Sequence, residues 1–351
     1  MSLLELVLFF IVFLVISGLL HRFLYKKSFK YSLRKANPNA ERWSSQSKPV
    51  SGGITFYLMF LLSVISYFFI FKNEGLDNQF IIPFFIIITL SFLMGLADDI
   101  INSSPYFKLF VQILSGFILI KFGIIIDLFS NPYLNYAITI FWIVGIMNSI
   151  NMIDNMDAIS SLITISILII VLSLIVFIGH FDVFLLFVLL ATLASLLSFL
   201  IFNWYPAKMY MGDSGSQFIG ALLALFGILF FWNSGDTEIT GVFRKFITVL
   251  LAFLVPIVDT TTVTLNRILK GKSPFQGGRD HTTHHLSYMG MSERGIAIFL
   301  FSLSLFSGLL SFYVINYVQD WKIFQIILLG LFVISVFSFL FSITKIYKPK
   351  K

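Results

Sequence analysis

Residues 159–179 read ISSLITISILIIVLSLIVFIG, twenty-one positions without a charge or a proline. Crossing the hydrocarbon core of a bilayer takes about 20 mostly apolar residues wound as a helix, because every backbone polar group must be bonded inside the segment. The stretch therefore reads as a membrane span. Working outward, the same pattern recurs near 3–21, 53–72, 79–97, 109–126, 135–150, 183–203, 216–232, 243–266, 296–317 and 323–344, eleven stretches in all. The first is too long, and too poor in small residues at its end, for a cleaved signal peptide, and reads as a retained span. Composition agrees: of 351 residues, 58% are hydrophobic and 12% charged, against about 25% charged in an ordinary soluble domain. A water-soluble globule of this kind would expose large apolar patches. Soluble enzyme and nucleic-acid binder are excluded, and with no cysteine so are a disulfide-stapled secreted fold and thiolate chemistry. The expected fold is all-α, a polytopic membrane helical bundle of about 11 spans forming one domain over 1–351.

The net charge of +7 reads as topology rather than as a nucleic-acid surface. Arg22, Lys26, Lys27, Lys30, Arg34, Lys35, Arg42 and Lys48 fall in the first loop, Lys108 in the third and Lys208 in the seventh. Arg267, Lys270, Lys272, Arg279 and Arg294 fall in the ninth, and Lys345, Lys348, Lys350 and Lys351 in the tail. The even loops carry Glu74, Asp77, Asp127, Asp182, Asp236, Glu238 and Asp320, with Arg244, Lys245 and Lys322 as their few cations. Cytoplasmic loops are enriched in Lys and Arg, so eleven spans place the N-terminus outside and the C-terminus in the cytoplasm.

Four polar clusters interrupt the apolar pattern, and on this topology all four face the cytoplasm. Asp98-Asp99 closes a span. Adjacent carboxylates can hold a metal or furnish a general base, and two solvated acids at a helix end are the alternative. Lys108 follows, as a partner for the pair, as a phosphate contact, or as a snorkelling interfacial lysine. Asn148, Asn151 and Asn155 form a stripe flanked by Asp154 and Asp157. Polar groups are expensive at membrane depth and usually functional, with interhelical hydrogen bonding as the structural alternative. In Met211-Gly-Asp-Ser-Gly-Ser216, glycines allow close backbone approach and a helix start favours phosphate, while Asp213 could equally be an N-cap. His281, His284 and His285 cluster with Arg279, as a metal site or as a phosphate-binding patch. The wealth of Asp and Asn favours a hard ion such as Mg²⁺ elsewhere in the site, which leaves phosphate contact to the histidines. Asp259, after Pro256, reads as a buried structural acid in a kinked span.

Carboxylates, amides and a cationic patch on one face point to phosphoryl transfer, which needs charge neutralisation and in-line positioning. A secondary transporter for a phosphorylated or nucleotide-linked solute is the competing class. Transporters keep ionisable groups near the bilayer midplane, often in repeats, whereas here the acids sit at span ends and no repeat is visible. An intramembrane aspartyl protease would need two facing acids within spans.

The order Gly52-Gly53, Asp98-Asp99, Asn148 to Asp157, Gly212 to Ser216 and the histidine loop, over about residues 42–286, resembles the polyprenyl-phosphate N-acetylhexosamine-1-phosphate transferases of glycosyltransferase family 4. The eleven spans look more like the N-acetylglucosamine branch than the ten-span phospho-N-acetylmuramoyl-pentapeptide branch. The resemblance implies transfer of N-acetylhexosamine 1-phosphate, with N-acetylglucosamine the first choice, from a UDP-sugar to undecaprenyl phosphate. UMP is released, in a Mg²⁺-dependent step with Mn²⁺ as a substitute, at the cytoplasmic side of a bacterial inner membrane. This would be the initiating step of a cell-envelope glycan. By resemblance, Asp213 and Asn151 bind the metal, and Asp98 and Asp99 serve as general base toward the lipid phosphate, a covalent aspartyl-phosphate being the alternative. Asn148, Asp154 and Asp157 line the nucleotide pocket, and Lys48, Lys108, Arg279, His281, His284 and His285 offset the diphosphate charge. Expected partners are the UDP-sugar, the lipid phosphate and the bilayer, with a homodimer as candidate assembly and no nucleic acid. The sequence departs from the family at Ala158, where many relatives have glycine, and at His281-Thr-Thr-His-His285, one residue longer than the usual His-x-His-His.

Overall fold

A computed structural model describes residues 3–28, 48–71, 79–178, 182–234, 239–273, 278–318 and 321–348. Lys30, Arg34, Lys35, Arg42, Glu74, Asp77, Asp236, Glu238, Asp320, Lys350 and Lys351 lie outside the described residues. The chain is an all-helical bundle: α1 Leu3–Ser28, α2 Gly52–Ile70, α3 Ile81–Ile101, α4 Pro105–Lys121, α5 Pro132–Ile153, α6 Ile159–Ile178, α7 Val183–Asn203, α8 Gly212–Gly227, α9 Ile239–Ala252, α10 Leu254–Leu269, α11 Thr282–Tyr288, α12 Glu293–Tyr317 and α13 Ile323–Ile346. Among the described residues the extended backbone pairs only in a single bridge between Val50 and Tyr210.

Among the described residues, nine helices are long and apolar enough to cross a membrane, α8 counting together with its continuation to Trp232. Of the eleven expected spans, two differ. α4 is 17 residues long, at the lower limit for crossing. The stretch expected as one span near 243–266 is broken at Phe253, and its halves meet at 86°. Pro256 accounts for the break. Its ring would clash with the carbonyl of Ala252 in a continuous helix, and it has no N–H to donate there. Restarting the helix at Leu254 puts Pro256 in a first turn, where no N–H donor is needed.

α8 is the centre of the bundle. Every residue from Ser214 to Gly227 is buried, with α2, α3 and α5 packed around it. The outer helices α1 and α13 turn Leu3, Leu19, Ile323 and Phe324 outward, as expected where the solvent is lipid. The functional consequence lies at the N-terminus of α8, where the last turns of α3 and α5 and the first turn of α4 converge.

Candidate active site

The first N–H groups of a helix have no acceptor within it. At α8 the N-cap residue Met211 supplies none from its side chain. The acceptor comes from another helix. Asp99, in the last turn of α3, takes the Asp213 N–H on Oδ1 at 3.0 Å and the Ser214 N–H on Oδ2 at 2.9 Å. Asp213 is therefore not the N-cap; it stands in the first turn, and the capping group lies 114 residues away in sequence. Glycines permit this approach. A Cβ on Gly95 would stand 2.2 Å from the Asp213 carbonyl oxygen, and one on Gly53 would stand 2.2 Å from the Gly215 nitrogen. The 48–53 segment is held against the same turn, with Gly53 N donating to Met211 O at 3.0 Å and Tyr210 N to Pro49 O at 2.9 Å. The Gly52-Gly53 and Gly212–Ser216 motifs are two sides of one joint.

Asp98 faces a different set of groups. α4 begins at Pro105 behind Ser104, whose hydroxyl accepts from Phe107 N, a start that suits proline at the first helical position. The next turn presents Lys108, whose Nζ lies 2.7 Å from Asp98 Oδ2 and 2.6 Å from Asp213 Oδ2. Ser103 donates to the other Asp98 oxygen at 2.8 Å. One ammonium thus ties together two carboxylates from different helices, with Asp99 beside them. Asp154, just past the end of α5, senses the same charge. Burial first, then the negative charges of Asp213, Asp99 and Asp157, push its carboxyl up to about 8.

α5 runs to Ile153, so Asn148 and Asn151 lie on the helix and Asn155 beyond it. Asn148 donates to Gln112 Oε1 at 2.8 Å and Asn151 to Ser216 Oγ at 2.8 Å, which joins α5 to α4 and α8. Asp157 accepts from Ala207 N at 2.7 Å and pairs with Lys48 at 3.8 Å. Ala158 adopts φ +67, the left-handed region that favours glycine. The strain is held by Asn203, which sequence reading missed. Its Oδ1 accepts from Ala158 N and Ser161 Oγ, and its Nδ2 donates to Met209 O.

The histidine loop joins the cluster through Asn155, whose side-chain oxygen accepts from Thr283 at 2.7 Å. Asp259 is buried as expected, and its role is specific: it accepts from His281 Nδ1 at 2.9 Å and from both N–H and hydroxyl of Thr282 at 2.9 and 2.6 Å. Burial would raise Asp280, but the two-pronged Arg267 guanidinium at 2.7 and 2.9 Å holds it below the usual carboxylate range. Burial, with the charge of His281 adding to it, drives His284 down to about 3. Burial also lowers His285, against the pull of the Tyr347 carbonyl to which its Nδ1 donates. Arg279 is exposed and keeps its cation at the rim.

The donors around Asp213 are oxygens, the type that suits Mg²⁺. Among the described residues no three His, Asp or Glu side chains form a ready-made cage. Mg²⁺ does not require one, since it keeps several waters and uses one or two carboxylates with substrate phosphates. Asp213 offers such an ion one carboxylate, whose Oδ2 is paired with Lys108 at 2.6 Å, and Asn151 turns its amide nitrogen to Ser216 Oγ at 2.8 Å, leaving its oxygen as the donor it would offer.

Residues 81–231 match the family model described as glycosyl transferase family 4. The chain is 26% identical over 235 residues to a probable undecaprenyl-phosphate N-acetylglucosaminyl 1-phosphate transferase of Bacillus subtilis, covering 63% of this chain and 62% of the relative. It is 28% identical over 144 residues to an undecaprenyl-phosphate alpha-N-acetylglucosaminyl 1-phosphate transferase of Haemophilus influenzae, covering 40% and 37%. It is 29% identical over 115 residues to a decaprenyl-phosphate N-acetylglucosaminephosphotransferase of Mycobacterium leprae, covering 31% and 28%. In each case the match spans less than two thirds of the relative's length. The matched region runs from α3 through the end of the buried α8 and so contains Asp98, Asp99, Lys108, Asn151, Asp154 and Asp213, and over these residues the chain is similar to glycosyl transferase family 4.

Proposed function

We propose that this chain transfers N-acetylglucosamine 1-phosphate from its UDP-sugar to undecaprenyl phosphate, releasing UMP. We place the reaction at the cytoplasmic face of a bacterial inner membrane, opening a cell-envelope glycan. The observation that carries the reading is the Lys108 ammonium bridging Asp98 and Asp213 beside the capped start of α8. Carboxylates and a lysine gathered at a helix start are suited to positioning phosphates and neutralising their charge. The names of the matched relatives support both the donor sugar and the lipid acceptor.

The two adjacent aspartates take different parts. Asp98 accepts the proton of the lipid phosphate as general base. Asp99 holds the first turn of α8, and with it Asp213, in place. The freed lipid oxygen bonds to the sugar-bearing phosphorus, the bond from that phosphorus to its bridging oxygen breaks, and UMP departs with that oxygen. Mg²⁺, held by Asp213 with Asn151, supplies charge neutralisation on the diphosphate when bound. Lys108 lies within reach of the same phosphates, and Asp154, whose carboxyl burial and its acidic neighbours push up, lines the nucleotide side of the pocket. Lys48 and Asp157 brace the loop beneath the nucleotide, and Arg279 meets the diphosphate from the rim.

The test is UMP release by the purified protein in detergent with undecaprenyl phosphate, Mg²⁺ and a panel of UDP-sugars. Release that needs lipid, metal and UDP-N-acetylglucosamine is expected. Release with another UDP-sugar alone would correct the sugar, and a folded protein that neither binds nor turns over any of them would overturn the reading.

A further inference from the structure

Two helical pairs repeat one turn below the charged cluster. On α4, Gln112 follows Lys108 by four residues; on α8, Gln217 follows Asp213 by four, so each glutamine lies under its charged partner on the same helix face. Both glutamines are fully buried. They form a one-directional chain of amides. Asn148 Nδ2 donates to Gln112 Oε1 at 2.8 Å, and Gln112 Nε2 donates to Gln217 Oε1 at 3.2 Å. Gln217 Nε2, at the end of the chain, has no hydrogen-bond acceptor among the described residues. On the neighbouring residue of α8, Ser216 receives Asn151, so α5 grips the same turn from its other side.

A buried amide pair in an apolar bundle is costly unless its geometry is kept, because a shift that breaks it leaves donors and acceptors unpaired. Such a pair fixes the sliding register of two helices where packed leucines would tolerate several. Here the two helices are the ones carrying Lys108 and Asp213; each packs mainly on α3 and α5 rather than on the other, so the amide pair is a direct link between them. We propose that Gln112 and Gln217 are positioning residues, an interhelical amide tie that sets α4 against α8 and so holds Lys108 Nζ between Asp98 and Asp213. The proposal rests on the phosphotransfer reading for its kinetic consequences, but the geometry it asserts does not.

Three variants separate positioning from simple stabilisation. Gln217→Met removes the acceptor and is expected to lower kcat about 50-fold, with KM for the UDP-sugar nearly unchanged, since a small misplacement of reacting groups is paid for in rate. Gln217→Glu, as the neutral acid, keeps a carbonyl for Gln112 and is expected to retain about a third of the wild-type rate. The Gln112→Met, Gln217→Met double variant removes both partners of the Gln–Gln bond while Asn148 Nδ2 keeps its bond to Val144 O at 2.8 Å, so its melting temperature should recover part of the way toward wild type while kcat stays low. Recovery of kcat together with stability in the double variant would overturn the proposal, as would Gln217→Met with an unaltered rate.

A second measurement needs no turnover. The chain has no cysteine, so a Lys108→Cys, Asp213→Cys pair can be joined by a short bis-methanethiosulfonate linker. Cross-linking should be efficient with Gln217 present and fall sharply with Gln217→Met, and equal yields would contradict the tie. If wild-type protein turns over no UDP-sugar, the phosphotransfer reading fails, and the cross-linking result still decides the geometry.

Discussion

Around Asp98, Lys108 and Asp213, charged side chains bond to one another across helices; at the opposite end of α5, around Asn135, polar side chains bond mainly to the backbone. Asn135 accepts from Leu128 N and Phe129 N and donates to Phe129 O and to Asp127. Asn233 accepts from Asp127 N and donates to Ile125 O, and the buried Lys245 donates to Asp127 O at 3.0 Å. That end is a staple: apart from one Asn135 bond to the Asp127 carboxylate, each amide answers a fixed carbonyl or N–H of the 125–129 loop. The Asp98–Asp213 end holds its carboxylates together with a single ammonium, an arrangement that a phosphate or a cation can rearrange. Polar residues at both ends of a span are equally conspicuous in sequence; what sets the site apart is that Asp98 and Asp213 meet through the Lys108 side chain, whereas Asn135 answers mostly backbone.

The comparison is tested most strongly by exchanging the two ends. Asp213→Asn should lower Mg²⁺-dependent UMP release about 1000-fold while leaving detergent melting close to wild type. Asn135→Ala should do the reverse, costing roughly 2–3 kcal/mol of stability with kcat per folded molecule unchanged. Equal losses of activity from both would erase the distinction. Gly95→Ala comes next. Its methyl would meet the Asp213 carbonyl oxygen at 2.2 Å, so α8 must shift, and turnover should fall about 100-fold in the same assay. An active Gly95→Ala protein would show that the α3–α8 joint is looser than the structure has it.

The Asp154 carboxyl supplies a pH signature. Burial and the negative charges of Asp213, Asp99 and Asp157 push it up to about 8, against 3.8 for its ordinary value. Between those values the folded protein holds the extra proton, so this group's contribution is complete below the lower value and is lost as pH rises through the upper one. Melting temperature followed from about pH 5 to about pH 9 should decline in the wild type and decline less in Asp154→Asn. Parallel profiles would place the titration elsewhere. The smallest effect is expected for Ala158→Gly, which relieves a left-handed residue and should stabilise by about 1 kcal/mol with kcat nearly unchanged.

Much of this was legible in the residues. Runs of about 20 apolar positions announce spans whatever their neighbours do, and the four polar clusters meet at one end of the bundle. Pro256 signalled a kink, but its location at Phe253 follows from the tolerance of a helix's first turn for proline. Arg244 and Lys245, the cations out of place in an even loop, bond to the carbonyls of Val314 and Ile315 and of Asp127. Their charge serves helix and loop ends there. The division of labour between Asp98 and Asp99 could not be read, because it depends on which helix end lies opposite each carboxylate. Asn203 and Gln217 were passed over for the same reason, since each acts through partners distant in sequence.

The central claim, that Asp98 is the reacting carboxylate of this cluster, is tested most directly with Asp98→Asn. UDP-sugar binding and UMP release would be measured on the same preparation. The account predicts binding within about threefold of wild type and turnover reduced more than about 100-fold. Turnover near wild type, or a loss confined to binding, would contradict it.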